Sequence, residues 1–305
     1  MESQNLNKSQ VNLPKQFSTN MMVKYAGHFY HFCRRYPLGA VGIAMLFILG
    51  FTSIFANLIS PYDPTEPFIP SVFAGPSAAH WLGNDHIGRD MLSRIFYGGR
   101  TSLYVGIVSV LIGITGGSMI GIVTAYIGGK FDLIVQRFVD ALIAFPGIIL
   151  ALALIAALGA SRENVIFALV ILFIPGSSRV VRSHALAIKE MDYVLAARAI
   201  GASHLRTVML YIVPNCFAVF MIYMTISVGF AILIESSLSF LGLGVPPETP
   251  TWGKMLSEAG RTDIQSTPWQ SIFPGAAIAF TVFAVNFLGD ALRDHLDPRL
   301  RGTGG

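Results

Sequence analysis

The stretch EMDYVLAARAIGASHLRTVMLYIVPN, from Glu190 to Asn215, decides the reading of this chain. It is polar, basic and helix-forming, and it lies between strongly apolar segments. Asp192 is a candidate N-cap for a helix through Ile200, built of good helix formers. Gly201 ends that helix, because glycine enters the left-handed region without a Cβ clash. Ser203 is placed to cap a second helix, which Pro214 closes. On the first helix, Ala196 and Ala197 leave a shallow small-residue surface beside Tyr193 and Arg198. Such a surface admits close docking into a groove of another protein. The other reading is a polar connector whose alanines serve only helicity.

The segments around this loop place it at a membrane. Of 305 residues, 53% are hydrophobic and only 12% charged, where soluble domains carry roughly 25% charged residues. The deficit is concentrated in apolar runs of about 20 residues, enough to cross a bilayer as helix. Six spans are expected, at 38–59, 102–126, 138–158, 165–181, 208–234 and 272–288. Pro175-Gly176 interrupts the fourth, which is tolerated where neighbouring helices satisfy the freed carbonyl. The fold class is therefore an all-α membrane protein, with a tail over 1–37 and one membrane domain over 38–305.

Charge placement orients the spans. The tail holds Lys8, Lys15, Lys24, Arg34 and Arg35 against Glu2. The loop before the third span holds Lys130 and Arg137 against Asp132, and the 190–207 loop with its flanks holds Arg179, Arg182, Lys189, Arg198 and Arg206 against two acids. The alternate loops are acid-balanced: Arg89, Arg94 and Arg100 face Asp63, Glu66, Asp85 and Asp90, and Lys254 and Arg261 face three acids. The positive-inside rule then makes both termini and the 190–207 loop cytoplasmic. The first apolar run is too long for a cleaved signal and reads as a signal anchor. Residues 22–35 mix aromatic and basic side chains, as a surface-lying helix does.

Gly113, Gly117 and Gly121 form a doubled GxxxG stripe, which reads as a packing seam rather than a pore lining. Asp140 and Glu235 sit near span ends, where a carboxylate is a functional candidate by default. Asp140 is expected to pair with Arg137; for Glu235, the translocation route and a headgroup or partner-helix contact are both open. Asp90 and Arg94 are spaced for an i, i+4 pair. With Arg89 they form a structural network or a docking site for an extracytoplasmic protein. Trp81 and Trp252 suit an interfacial belt. Val245-Pro246-Pro247 with Pro250 makes a stiff turn, and Asp290, Arg293, Asp294, Asp297 and Arg299 follow the last span. Cys33 and Cys216 form no CxxC pair, and the histidines lack ligand spacing, so no metal site is expected. A P-loop is absent: beside Gly129-Lys130, residue 124 is Thr and residue 131 is Phe.

DYVLAARAIGAS with the following VPN resembles the "EAA" loop of ABC importer permeases, which docks on the ATP-hydrolysing subunits. HWLGNDHIGRDMLSRIFYGGRTSL (His80 to Leu103), RFVDALIAFPG (Arg137 to Gly147), ESSLSFLGLGVPPETPTWGKML (Glu235 to Leu256) and NFLGDALRDHLDPRLRG (Asn286 to Gly302) are similar to blocks of the dipeptide, oligopeptide and nickel permeases, in the same order. The long first loop and the last block point to the C-type subunit. Two departures stand out: Leu195 replaces the acid before the two alanines, and Tyr211-Ile212-Val213-Pro214 replaces the usual Ile-x-Leu-Pro ending. The resemblance implies a type I importer permease fold in the bacterial inner membrane. It implies a B-type permease partner, two ATP-binding subunits that use ATP and Mg, and an extracytoplasmic binding protein, with no cofactor on this chain and no nucleic acid. Asp192, Tyr193, Ala196, Ala197, Arg198, Gly201, Ala202 and Pro214 would form the coupling loop. Di- or oligopeptides are the implied cargo, with glutathione and nickel chelates as alternatives. The competing classes are an autonomous secondary transporter, marked by inverted repeats and broken helices, and an intramembrane enzyme.

Overall fold

In a bilayer every backbone N–H and C=O must be satisfied within the protein, which leaves this apolar chain the helix. The computed structural model describes residues 30–246, 248–261 and 265–296; among these it is helical, with one isolated bridge between Asn84 and Asp90 and no strand. Residues 30–35 are helical; the rest of the expected surface helix, the tail before it, Pro247, Asp297 and Arg299 lie outside the described residues. In chain order the helices are α1 (Pro37–Ile54), α2 (Ala56–Ile59), α3 (Met91–Ile127), α4 (Gly129–Ile143), α5 (Gly147–Leu158) and α6 (Arg162–Lys189). They continue with α7 (Asp192–Ala199), α8 (His204–Thr207), a π-helical turn (Val208–Ile212), α9 (Val213–Phe240), α10 (Trp252–Gly260) and α11 (Trp269–Leu296).

Five of these are long and apolar enough to span: α1, α3, α6, the continuous His204–Phe240 helix and α11. The sixth crossing differs from the straight 138–158 span that hydropathy suggests. It is broken into α4 and α5, bent by 88°. Pro146 lacks an N–H, and its ring disfavours helical backbone at Phe145, so the helix stops before it and restarts after it. The second span begins at Met91, eleven residues earlier than the apolar run indicates, because Asp90 caps it: its side chain accepts from Ser93 N at 2.8 Å. Pro175 sits inside an unbroken α6. The last helix absorbs Asp290, Arg293 and Asp294 instead of ending before them.

The glycine stripe explains the central contact. A Cβ on Gly113 would lie 2.9 Å from Phe173 Cβ, one on Gly117 2.9 Å from Ile174 Cα, and one on Gly121 3.0 Å from Arg182 N. These partners advance along α6 as the glycines advance along α3, so the two helices run parallel with their backbones nearly touching. The stripe is a packing seam within the bundle, as small-residue spacing in membranes suggests. Gly106 meets Ile232 on α9, and Gly42 meets Ala284 and Leu288 on α11, where α1 runs antiparallel. The deepest side chains (Val105, Val110, Ile114, Ile155, Leu169 and Leu238) fill the space between α3, α5, α6 and α9. Alternation of the crossings brings residue 30 and Leu296 to the end of the bundle that carries α7, and places α10 at the opposite end.

Candidate coupling site and the polar network at the opposite end

Between α6 and α9 the chain leaves the bundle and folds into a helix–turn–helix. Asp192 is the first residue of α7, not its cap; the N-cap is Met191, and no side chain caps this end. The helix closes in a Schellman motif: Ala202 N donates to Ala197 O at 3.0 Å, Gly201 N donates to Arg198 O at 3.0 Å, and Gly201 takes φ +91°. Each bond satisfies a carbonyl that the helix end leaves free. Ser203 caps α8 by accepting from Arg206 N at 3.3 Å. Pro214 does not close the loop, because helix passes through it. In an α turn its ring would collide with the carbonyl of Leu210. The wider π turn over Val208–Ile212 lies where that collision would fall.

The exposed face differs from a flat alanine surface. Ala197 is buried and Val194 packs with Ile188, Ile212 and Cys216, while Ala196, Tyr193 and Arg198 face outward. Residues beyond the alanine core dominate the surface: Ile200 is 87% exposed and Leu205 74% exposed. Two large aliphatics within a polar loop were the sequence signal for them. Tyr193 and Tyr211 rings lie 6.4 Å apart, and Tyr126 Oη meets His204 Nδ1 at 2.7 Å, tying the motif to α3. Lys189 donates to Ala125 O at 3.2 Å, supporting the end of α3. Beside it, Asp132 takes both arms of Arg182 at 2.7 and 2.5 Å. Asp140 pairs with Arg179 on α6 and not with Arg137: Arg137 lies only three residues away on α4, but the antiparallel packing of α4 beside α6, which also sets Asp132 against Arg182, presents the Arg179 guanidinium to it.

At the opposite end, Arg89 and Arg94 join a closed four-membered ring. Asp85 Oδ2 accepts from Arg89 Nε at 2.6 Å and Arg94 Nη1 at 2.5 Å; Glu258 Oε2 accepts from Arg89 Nη2 at 3.0 Å and Arg94 Nη2 at 2.8 Å. The ring locks the loop before α3 to α10. The expected Asp90–Arg94 pair does not form. Asp90 is committed to the helix N-terminus and to His80 Nδ1 at 3.0 Å, so Arg94 turns to Asp85 and Glu258. Glu258, 164 residues away in sequence, had no local signal; Asp85, four before Arg89, had one. Burial pushes the Glu258 carboxyl above its ordinary range, against the pull of Arg89, and burial likewise lowers Lys254.

Glu235 is fully buried inside the bundle rather than at a surface. It accepts from Ser239 Oγ at 2.8 Å and Ser102 Oγ at 3.1 Å, and Ser102 in turn accepts from Trp252 N at 3.4 Å. Trp252 is also interior, donating its ring N–H to Ile95 O at 3.0 Å, so of the two belt candidates only Trp81 stands exposed. Arg100 closes the end of α1 by donating to Ser53 O at 3.0 Å and Ile54 O at 2.8 Å. Asp85, His86 and Glu258 bring three donor atoms within 4.8 Å of one another. Both carboxylates are already neutralised by guanidinium, which disfavours a cation there.

The comparisons agree with this geometry. Residues 117–302 match the family model described as "Binding-protein-dependent transport system inner membrane component". The glutathione transport system permease protein GsiD of Pectobacterium atrosepticum is 41% identical over 271 residues, 88% of this chain and 89% of that protein. Its namesakes in Escherichia coli O6:K15:H31 and Shigella boydii are each 40% identical over 270 residues. The bent α4–α5 pair is a feature that secondary transporters share, but it has no inverted counterpart among the described helices. With its helical spans, its α3–α6 seam and a match over most of its length, the chain belongs to the binding-protein-dependent transport family, as a multi-pass permease subunit of an ATP-binding-cassette importer in the bacterial inner membrane.

Proposed function

We propose that the exposed face of α7 and α8 docks on the ATP-hydrolysing subunits and carries their closure to the spans. The observation that supports this most is the pair Ile200 and Leu205, almost wholly exposed on a turn that Gly201 and Ser203 hold rigid. Exposed aliphatics of this size on a stiff motif lose hydration favourably when covered. In this reading the end bearing α7 is cytoplasmic, as the basic loops favour. Asp192, Tyr193, Ala196, Arg198 and Ala202 frame the patch; Ala197 and Pro214 hold its backbone. ATP and Mg bind the partner ATPases, and this chain performs no catalysis of its own. A second permease completes the pathway, and an extracytoplasmic binding protein delivers cargo. Small peptides are the cargo class proposed, glutathione among them, in keeping with the relatives' names.

The test is Ile200→Asp with Leu205→Asp in the co-expressed complex. The variant is expected to reach the membrane with its permease partner yet lose the ATPase subunits on purification. Retained ATPases with normal peptide-stimulated hydrolysis would refute the docking. Gly201→Val forces a β-branched side chain to φ +91° and should uncouple hydrolysis from uptake while assembly persists.

A further inference from the structure

The loop before α3 carries an apolar patch that the fold leaves uncovered. Ile69 is 77% exposed, Trp81 70% and Phe68 56%. Clustered apolar surface of this kind on a polar loop marks an interaction site. Beside it opens a cavity of about 350 Å³. Three rings wall it: His80 lies 4.6 Å from Tyr62 and 6.4 Å from Phe68 between centroids. Asp63, Glu66 and Asp90 bring carboxylates to the same lining, and no lysine or arginine does. Asp90 is engaged by His80 and by the first turn of α3. Arg89 and Arg94, the guanidiniums nearest in sequence, are held by Asp85 and Glu258. Asp63 takes only neutral donors, from Thr65 and the neighbouring backbone. Among the described residues neither Asp63 nor Glu66 has an ion-pair partner. Two uncompensated carboxylates beside aromatic faces suit an ammonium or a guanidinium.

Height decides where that cation comes from. Arg100 closes the end of α1 and so marks where the apolar helices finish. Asp90 caps α3 about 15 Å beyond it, at the helical rise per residue. Tyr62 is tied to the same level, its N–H donating to Ser93 Oγ at 3.2 Å. Headgroups add only about 5–8 Å to each side of the hydrocarbon core, so patch and cavity stand clear of lipid. A second copy of this chain would set carboxylates against carboxylates.

We propose that this surface seats the importer's extracytoplasmic binding protein, which sets a lysine or arginine side chain against Tyr62, Asp63 and Glu66 and covers Ile69 and Trp81. The proposal rests on the importer reading above. A charged anchor enclosed by apolar neighbours is the usual layout of an interface hot spot. The four-membered ring of Asp85, Arg89, Arg94 and Glu258 ties the loop that carries this surface to α10, so the seat is preformed.

The test measures binding of the importer's fluorescently labelled binding protein to the whole complex in lipid nanodiscs. Asp63→Asn with Glu66→Lys is expected to weaken binding about tenfold, and Trp81→Ala severalfold. Added salt should weaken the wild-type contact more than that of the double variant. Reversing one lysine or arginine of the binding protein to glutamate should restore its affinity for the double variant, a rescue that a misfolded loop would not permit. Unchanged affinity in the double variant, or a loss that no such reversal restores, overturns the proposal. Unchanged affinity with a raised KM for peptide import assigns the cavity to cargo and overturns it equally. A wild-type complex that imports without any binding protein refutes the importer reading itself, and the seat with it.

Discussion

Two adjacent glycines on α3 should respond to alanine with opposite signs. A Cβ on Gly116 meets nothing within 4 Å, whereas one on Gly117 lies 2.9 Å from Ile174 Cα and closer still to the Ile174 carbonyl oxygen. Carbon atoms pack best at roughly 3.5–4.0 Å, so Gly117→Ala must part α3 and α6 by about 0.6–1.1 Å. Ser177 Oγ also lies in the way, but it is a side-chain end and can rotate. The backbone of Ile174 cannot. Overpacking of this kind costs about 1–3 kcal/mol. Gly116→Ala carries only the helix-propensity gain, about 0.5–1 kcal/mol. Thermal unfolding of the purified complex, followed by loss of the intact complex on gel filtration, reads the difference. Gly117→Ala should melt below wild type and Gly116→Ala at or above it. Equal melting temperatures for the two variants would refute the close-contact account of the seam.

Asp85→Asn removes the carboxylate that two guanidiniums share, leaving Arg94, 2% exposed, with Glu258 alone. Breaking such a buried pair costs about 3–5 kcal/mol, which the same melting assay should register as a large loss. Asp132→Ala touches a partly exposed pair and should cost about 1 kcal/mol or less, with Asp132→Arg plus Arg182→Asp recovering what either reversal loses. Lys254 gives a pH signature. Burial, the largest influence, holds its ammonium below the ordinary 10.5, although Glu258 pulls the other way. The unfolded chain therefore holds this proton more tightly than the folded one, so stability rises with pH between the lowered value and 10.5 and is lost as pH falls through it. Lys254→Gln should flatten that alkaline limb; an unchanged profile would show that the residue is not desolvated.

Much of the architecture is legible in the sequence, and the misses share a cause. The apolar runs mark the crossings, Gly201 and Ser203 mark the turn, and the four-residue glycine spacing marks the seam, because each depends on local geometry. What escapes is set by groups distant in sequence. Arg94 and Arg100 look like loop residues until Asp85, Glu258 and the open end of α1 are seen to neutralise or engage them inside helix and capping contacts. Asp140 finds Arg179 across a helix interface that no spacing rule on α4 predicts. Trp252 and Glu235 sit in segments whose composition resembles a membrane boundary, yet both are interior because Ser102 and Ser239 supply their polar partners. In the coupling motif the alanines are visible in the sequence. The dominance of Ile200 and Leu205 depends on how α7 packs through Val194 onto Ile188, Ile212 and Cys216.

The π turn at Val208–Ile212 sets an angle as well as relieving a proline. One residue of an α-helix corresponds to about 100° of rotation, and a π turn takes up one extra residue without ending the helix. Everything before it, α8 and the patch it shares with α7, is thus indexed against α9 by a single residue. Deleting one residue within 208–212 would return the turn to α geometry, set the Pro214 ring against the carbonyl four residues before it and kink the helix, tipping the patch away from any partner positioned beneath it. Under the docking proposed above, indels of one residue here would re-aim this subunit towards a differently placed partner while leaving the other spans untouched.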